Sequence, residues 1–126
     1  RLSMSTLEVS NLNDGTTTVA TTFVTGGSAK AWCSYNQDTP AIEDSFNISS
    51  FTDASTGIGQ PNFTSNMSNA LFVVTALGVD AGVYYMFASF DSRNVGFTQV
   101  TAHPNSAPTT TQDPSDFCVS VNGDLA

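Results

Sequence analysis

Alternation of apolar and polar residues is clearest in residues 29–64, AKAWCSYNQDTPAIEDSFNISSFTDASTGIGQPNFT. Ala31, Cys33 and Tyr35 would point to one face of a β-strand, and the residues between them to the other face. The stretch also holds the single tryptophan, Trp32, beside one of the two cysteines. A half-buried strand is therefore predicted at its start.

The rest of this stretch predicts a turn, a second strand and a loop. Gln37–Pro40 is polar and ends in proline, as turns often do. Asp44–Phe51 has spaced apolar residues and predicts a strand, and Thr52–Gln60 predicts a loop. Because Pro61 lacks an N–H group, we expect the following strand to begin at or after Asn62.

Composition restricts the class of protein. The chain has 126 residues, a net charge of -8 and only three basic residues, Arg1, Lys30 and Arg93. Binding to nucleic acid needs clustered Lys and Arg, so neither nucleic acid nor an anionic membrane surface is an expected partner. No apolar run approaches the roughly 18 residues of a membrane span, so no membrane insertion is expected.

Short strands separated by turns recur along the whole chain, and no segment has a convincing helical period. Beyond the central stretch, the predicted strands are Thr6–Ser10, Thr16–Thr25, Ala70–Leu77, Val83–Phe90, Val95–Ala102 and Phe117–Val121. Ala70–Leu77 is almost continuously apolar, which is typical of a strand buried on both faces. The predicted fold is all-β, an antiparallel β-sandwich of about eight or nine short strands.

The chain divides into two predicted parts. Residues 1–27 form an extended N-terminal arm that turns at Asp14-Gly15, and residues 28–126 form the β-sandwich body. Gly26-Gly27 is interpreted as a flexible joint between them. The arm has few apolar residues for an independent hairpin, so we expect them to bury against a neighbouring subunit or a larger assembly. These residues are Leu7, Val9, Val19 and Phe23.

The central stretch resembles a signature of bacteriophage virion proteins, found in C-terminal parts of tail-fibre and minor structural proteins of marine phages. The order is K-A-W, an aromatic-Asn pair, A-I-x-D-S-F-N-I-S-S, T-D-x-x-T-G and N-F-T. The matching residues are Lys30–Trp32, Tyr35–Asn36, Ala41–Ile42, Asp44–Ser50, Thr52–Asp53, Thr56–Gly57 and Asn62–Thr64. Both ends of the chain resemble such proteins more weakly. The sequence departs from the family at Glu43, where a basic residue is usual, and at Ile58–Pro61.

The resemblance implies a non-enzymatic structural protein of the virion, a tail-fibre component that forms a homotrimer and contacts other virion proteins. It implies exposure on the particle surface after assembly in the host cytoplasm. A host-cell-surface glycan or protein is then an expected partner. The loops Gln37–Thr39 and His103–Ser115 are the expected contacts, above all Gln37, Asp38, Thr39, His103 and Asn105.

Two other classes remain open at this point. One is a capsid decoration or head-fibre protein that docks on the shell and stabilises it without binding a receptor. The other is a secreted carbohydrate-binding module or hydrolase. Residues 1–10 lack the apolar region of a signal peptide, which disfavours the secreted class.

Residues that could carry chemistry are sparse. His103 and Ser106 lack the spacing that marks a catalytic triad, and an exposed loop histidine is the ordinary interpretation. Carboxylates adjacent on a strand, as in Glu43-Asp44, face opposite ways, and the other candidate pair, Asp113 and Asp116, flanks a Pro-Ser loop. Asp38, Asp53 or Asp91 could contribute to a calcium site, but no spacing selects one. No catalytic residue, metal or cofactor is expected.

The cysteines and the aromatic residues leave alternatives. Cys33 and Cys118 are expected as free, buried thiols, although the first and last core strands could be neighbours and allow a disulfide. Five aromatic residues could line a sugar-binding surface, but packing in the core or between subunits is the commoner use. They are Tyr84, Tyr85, Phe87, Phe90 and Phe97.

Overall fold

The computed structural model describes residues 7–80 and 83–126, and for residues 83–87 and 90 it describes the backbone. Ten strands and one short helix are present in these ranges. They are β1 (Asn11–Asn13), β2 (Thr18–Ala20), α1 (Thr21–Gly27), β3 (Ala31–Asn36), β4 (Ala41–Phe46), β5 (Ile48–Ser55), β6 (Ile58–Phe63), β7 (Val73–Asp80), β8 (Val83–Asn94), β9 (Phe97–Pro104) and β10 (Asp116–Asn122).

Eight strands form one antiparallel sheet in the order β4-β3-β10-β7-β8-β9-β6-β5, and β1 and β2 form a separate hairpin. The large sheet folds over, because Tyr35 on β3 stacks on Phe51 on β5. This brings the half β4-β3-β10-β7 against the half β8-β9-β6-β5. The predicted all-β antiparallel sandwich is confirmed.

The core lies between the two halves and uses the predicted alternation. Ala31, Cys33 and Tyr35 are buried on β3, and the residues between them are more exposed. The other hydrophobic residues that are buried among the described side chains are Phe63, Met67, Phe72, Val100, Ala102, Phe117, Val119 and Val121. Met67 lies in a mostly polar segment, residues 65–69, between β6 and β7.

The predicted strand Asp44–Phe51 is in fact two strands, and this prediction is wrong. Asn47 separates β4 from β5 with a φ of 57°. Asn adopts this left-handed conformation more readily than most residues because its short side chain bonds nearby backbone. Here its amide donates to the carbonyl oxygens of Lys30 at 2.9 Å and Ser65 at 3.1 Å. The chain thereby crosses from one half of the sandwich to the other.

The predicted loop Thr52–Gln60 is also wrong, because β5 and β6 form a hairpin that turns at Thr56-Gly57. Gly57 has a φ of +68°. Strand β6 includes Pro61, so it does not begin at Asn62 as predicted. The pairing of β6 with β9 skips this position: Gly59 pairs with Val100, and the next pair joins Asn62 to Phe97. The gap accommodates the missing N–H group.

The N-terminal part differs from the prediction. The predicted strand Thr16–Thr25 is limited to β2, and α1 follows it directly and includes the expected joint Gly26-Gly27. Within this helix the Thr25 Oγ1 bonds backward and donates to the Thr21 carbonyl oxygen at 3.1 Å. Residues 7–10 are not in a strand, and Thr6 lies outside the described residues.

Strand β7 is buried on one face only, which corrects the prediction for Ala70–Leu77. Its inward residues are Val74, Ala76 and Gly78, whereas Val73 and Leu77 are exposed on the other face. The inward face packs in the sandwich, and no second layer from residues 7–80 or 83–126 covers the outward face.

The turn after β8 and the loop after β9 begin at other residues than predicted. Strand β8 continues to Asn94, so the turn falls at Val95-Gly96 rather than at Asp91–Asn94. His103 and Pro104 end β9 and do not begin a loop. Pro114, within the predicted exposed loop, is fully buried.

Candidate interaction surfaces

The N-terminal segment (residues 7–27) carries four apolar residues that were expected to contact other chains. Leu7 is 82 % exposed and Phe23 75 %, and Val9 and Val19 are also exposed. Helix α1 has no buried residue. Burying a large apolar side chain contributes about 1.5–3 kcal/mol, so this segment has apolar surface to bury that the single chain does not cover. Contact with neighbouring chains stays a prediction.

Local polar bonds hold the β1–β2 hairpin. The Asp14 Oδ1 accepts from the backbone N–H groups of Thr17 at 2.7 Å and Thr16 at 2.9 Å. These two bonds lower the pKa of the Asp14 carboxyl. Gly15 supplies the positive φ that the turn needs, at 96°. The predicted Asp-Gly turn is confirmed, and the hairpin forms without a core of its own.

The N-terminal segment joins the body where β3 begins and β10 ends. The Lys30 N–H donates to the Val121 carbonyl oxygen at 2.7 Å, and the Asn122 side-chain amide donates to the Gly27 carbonyl oxygen at 3.2 Å. The Lys30 ammonium donates to the Ser28 carbonyl oxygen at 2.8 Å. We call this end of the body the arm end.

The predicted contact loops lie together at the opposite end of β3. The Gln37 N–H donates to the Pro114 carbonyl oxygen at 3.1 Å, and the Gly57 N–H donates to the Asp113 Oδ1 at 2.5 Å. These bonds gather turn 37–40, turn 56–57 and loop 105–115 into one loop end. Six residues of β3, about 20 Å of extended chain, separate it from the arm end.

Four of the five predicted contact residues keep some accessible surface at the loop end. Asp38, Thr39 and Asn105 are exposed. His103 is half-buried, and its Nδ1 bonds to the Thr110 carbonyl oxygen at 2.8 Å, so this nitrogen carries the proton. Gln37 corrects the prediction because its side chain is only 2 % exposed and is not a surface contact.

Gln37 instead links the end of β3 to the β5–β6 hairpin. Its Nε2 donates to the Asp53 Oδ1 at 2.8 Å and to the Ser55 carbonyl oxygen at 3.2 Å, while its buried Oε1 has no hydrogen-bond partner among the described residues. Burial, and then the negative charges of Asp53 and Asp113, raise the pKa of the neighbouring Tyr35 hydroxyl. The buried amide therefore fixes the shape of the loop end.

The candidate carboxylates pair differently from the sequence expectation. Glu43 on β4 interacts with Asp116 on β10, and the Ser34 hydroxyl on the strand between them donates to the Glu43 Oε2 at 2.9 Å. Burial, and then Glu43, raise the pKa of Asp116. Within residues 7–80 and 83–126, no three His, Cys, Asp or Glu side chains group as metal ligands.

The outward side of strands β3, β4, β7 and β10 is a surface that the sequence predictions missed. We call it the outer apolar face, and its exposed large residues are Trp32, Phe46, Val73, Leu77 and Val79. Between Trp32 and Leu77 lies an open depression of about 350 Å³, which Cys118 and Ser120 help to line. The alternation around Trp32 and the apolar run of β7 contained the signal for this surface.

Both cysteines are free, as expected, but only Cys33 is buried. Cys118 points outward because alternate residues of β10 face opposite sides of the sheet. Burial raises the pKa of the Cys33 thiol to about 12. The side chains of four of the five candidate sugar-binding aromatics lie outside the described residues, and the fifth, Phe97, is half-buried.

No protein-family model, curated protein or solved structure matches this chain. Among the helices described here, none has the length and apolar character needed to cross a membrane.

Proposed function

We propose that this chain is a non-enzymatic structural component of a bacteriophage virion, a tail-fibre subunit that assembles with identical chains as a homotrimer. The resemblance of residues 30–64 to phage fibre proteins supports this assignment. The all-β sandwich with an apolar N-terminal segment is the architecture that such a subunit needs. The subunit is exposed on the particle surface and contacts other virion proteins through its arm end.

The proposal rests on the difference between the two ends of the molecule, one of which is apolar and the other polar. Unburied apolar residues, including Leu7 and Phe23, lie in the segment attached at the arm end, and polar exposed residues lie at the loop end. A fibre subunit must attach at one end and present the other to the host. Strand β3 holds these two ends apart along its length.

The chemistry of the loop end fits recognition of a host-surface glycan or protein. Asp38, Thr39 and Asn105 supply carboxylate, hydroxyl and amide groups that exchange hydrogen bonds with sugar hydroxyls or peptide groups. The buried Gln37 network and the bond from Gln37 to Pro114 hold these loops in place, which lowers the entropic cost of binding.

Co-sedimentation with infectious particles tests the proposal. Phage that encodes this chain is purified on a density gradient, and peptides of the chain are quantified in each fraction by mass spectrometry. The proposal predicts that the chain peaks with infectivity, and that added purified protein competes with phage for adsorption to host cells. Absence from the infectious fractions would overturn it. Presence there without competition would favour the capsid decoration alternative.

A further inference from the structure

The two outer faces of the sandwich differ in polarity. Among the described side chains, strands β3, β4 and β7 carry exposed large hydrophobic residues, with Val73 61 % and Leu77 54 % exposed. Strands β5, β6 and β9 carry no exposed large hydrophobic residue among their described side chains. Their outward positions hold polar residues such as Thr52, Gln60 and Asn62. Among the described side chains, exposed large hydrophobic residues therefore concentrate on one outer face.

The sequence of β7 points the same way. Its apolar run is typical of a strand covered on both faces, yet the single chain covers only one. Trp32 lies directly opposite Phe46 on β4, so two aromatic rings also stand on the uncovered side. An exposed apolar patch of this kind marks an interaction surface.

We propose that the outer apolar face is the surface through which copies of this chain pack against each other. The inference rests on the proposed homo-oligomeric fibre function and assigns the interface that such an assembly requires. The exposed groups of Trp32, Phe46, Val73, Leu77 and Val79 become buried between chains.

The area of the face favours a second copy over a smaller ligand. Four strands and six residues along each give a face of roughly 400 Å², whereas a stable interface buries about 800 Å² of each partner. The N-terminal segment supplies the remaining apolar area, because it joins the body at the arm end of the same strands β3 and β10. Another copy of the chain covers both surfaces in one contact.

Charge also favours a copy of the chain. Two chains that each carry a net charge of -8 repel each other, and carboxylates at the centre of their contact would add to this repulsion. The centre of the face is neutral, since Cys118 and Ser120 on β10 lie between Trp32 on β3 and Leu77 on β7. The carboxylates on this side of the sheet lie around that centre, Glu43 and Asp116 toward the loop end and Asp44 on the edge strand β4. The neutral apolar centre matches an identical one.

The shape of the face supplies a site for a neighbour's side chain. The small residues Cys118 and Ser120 line an open depression, and Trp32 and Leu77 stand on either side of it. A large apolar side chain from a neighbouring copy fills this depression and removes the exposed surface of both walls.

Sedimentation velocity of the full chain and two matched variants tests the inference. Leu77→Asp places a charge on the outer apolar face, and Thr52→Asp places the same charge at an exposed position of β5, on the opposite outer face. We expect Leu77→Asp to lower the mass about threefold, toward the 13.2 kDa monomer, and Thr52→Asp to leave the wild-type mass unchanged. Circular dichroism confirms that both variants keep their β-structure.

Two native side chains report on the same face without substitution. In the assembled wild type, Cys118 should resist a maleimide reagent and Trp32 should resist quenching by acrylamide. Both should become accessible in Leu77→Asp, while the buried Cys33 stays unreactive in both proteins. An oligomer that survives Leu77→Asp, or a reactive Cys118 in the wild-type oligomer, would overturn the inference.

A monomeric wild type would also overturn it. That result would leave the proposed virion location standing if the chain still co-sediments with infectious particles. The two failures are therefore distinguishable.

Discussion

The ring of Tyr35 stacks on the ring of Phe51, with centroids 3.6 Å apart and ring planes inclined by 10°. Tyr35 lies on β3, next to one edge of the eight-stranded sheet, and Phe51 lies on β5, the other edge strand. Phe51 also contacts Phe117 on β10, with ring centroids 6.3 Å apart. This aromatic cluster closes the sheet into a sandwich.

Replacing Phe51 by alanine should destabilise the body strongly. Loss of its ring removes the stack on Tyr35 and leaves a cavity beside Phe117, so we expect the free energy of unfolding to fall by about 3 kcal/mol. Urea denaturation followed by circular dichroism measures the change. Thr52→Ala, at the exposed neighbouring position, should change it by less than about 1 kcal/mol. Equal effects of the two substitutions would contradict the role given to the stack.

Gly57→Ala should destabilise the β5–β6 hairpin more than Gly15→Ala destabilises the β1–β2 turn. Both glycines have positive φ, but only at Gly57 would an added Cβ meet backbone atoms, the nearest being the Gln112 nitrogen at 2.5 Å. Positive φ alone costs about 1–2 kcal/mol for a residue with a side chain, and the clash adds to it. Thermal unfolding of both variants checks this order, and a Gly57→Ala protein as stable as Gly15→Ala would refute it.

Stability should fall in alkaline solution because the Cys33 pKa is raised to about 12 from an ordinary value of 9.0. The folded state keeps this proton where the unfolded state loses it. Its contribution is therefore fully present below pH 9 and is lost as the pH rises toward 12. The free energy of unfolding should decline by at most about 1.4 kcal/mol per pH unit from this group.

Urea titrations between pH 8 and pH 11 measure that slope. Cys33→Ala should lower the slope by the contribution of one proton, whereas Thr52→Ala, which removes no titratable group, should not. The remaining slope in Cys33→Ala comes in part from Tyr35, whose pKa burial also raises. An identical slope in wild type and Cys33→Ala would show that Cys33 is not shielded.

Charge in the N-terminal segment should weaken self-association. Phe23→Asp places a carboxylate on a residue that is 75 % exposed in the single chain and is expected to be buried in the oligomer. Thr22→Asp places the same charge on the exposed neighbour. We expect the protein concentration at which half of the oligomer dissociates to rise at least tenfold in Phe23→Asp and to stay unchanged in Thr22→Asp. Deletion of residues 1–27 should lower the number of chains in the oligomer. Equal dissociation midpoints for the two variants would show that the N-terminal segment is not part of the interface.

Much of the fold was predictable wherever one face of a strand is buried. The alternation around Cys33 and Tyr35 specified β3, and the Asp14-Gly15 pair specified the first turn. The break at Asn47 was not predictable from alternation, because its cause is a set of bonds to Lys30 and Ser65, which are distant in sequence. The strand start predicted from Pro61 was wrong for a similar reason, since the gap in the β6–β9 pairing exists only in the folded sheet.

The candidate surfaces were partly predictable. Polarity identified the exposed loop residues Asp38 and Asn105, but it also selected Gln37, which tertiary bonds to Asp53 and Pro114 bury. The outer apolar face was hidden because an apolar run such as β7 predicts burial without saying which chain covers it.

Immunogold labelling of intact virions tests the central claim most directly. Antibody raised against residues 28–126 is applied to purified particles, and gold positions are recorded by electron microscopy. We expect label at the tail and none after pre-absorption of the antibody with the purified protein. Label confined to the head, or no label on any particle, would contradict a tail-fibre subunit.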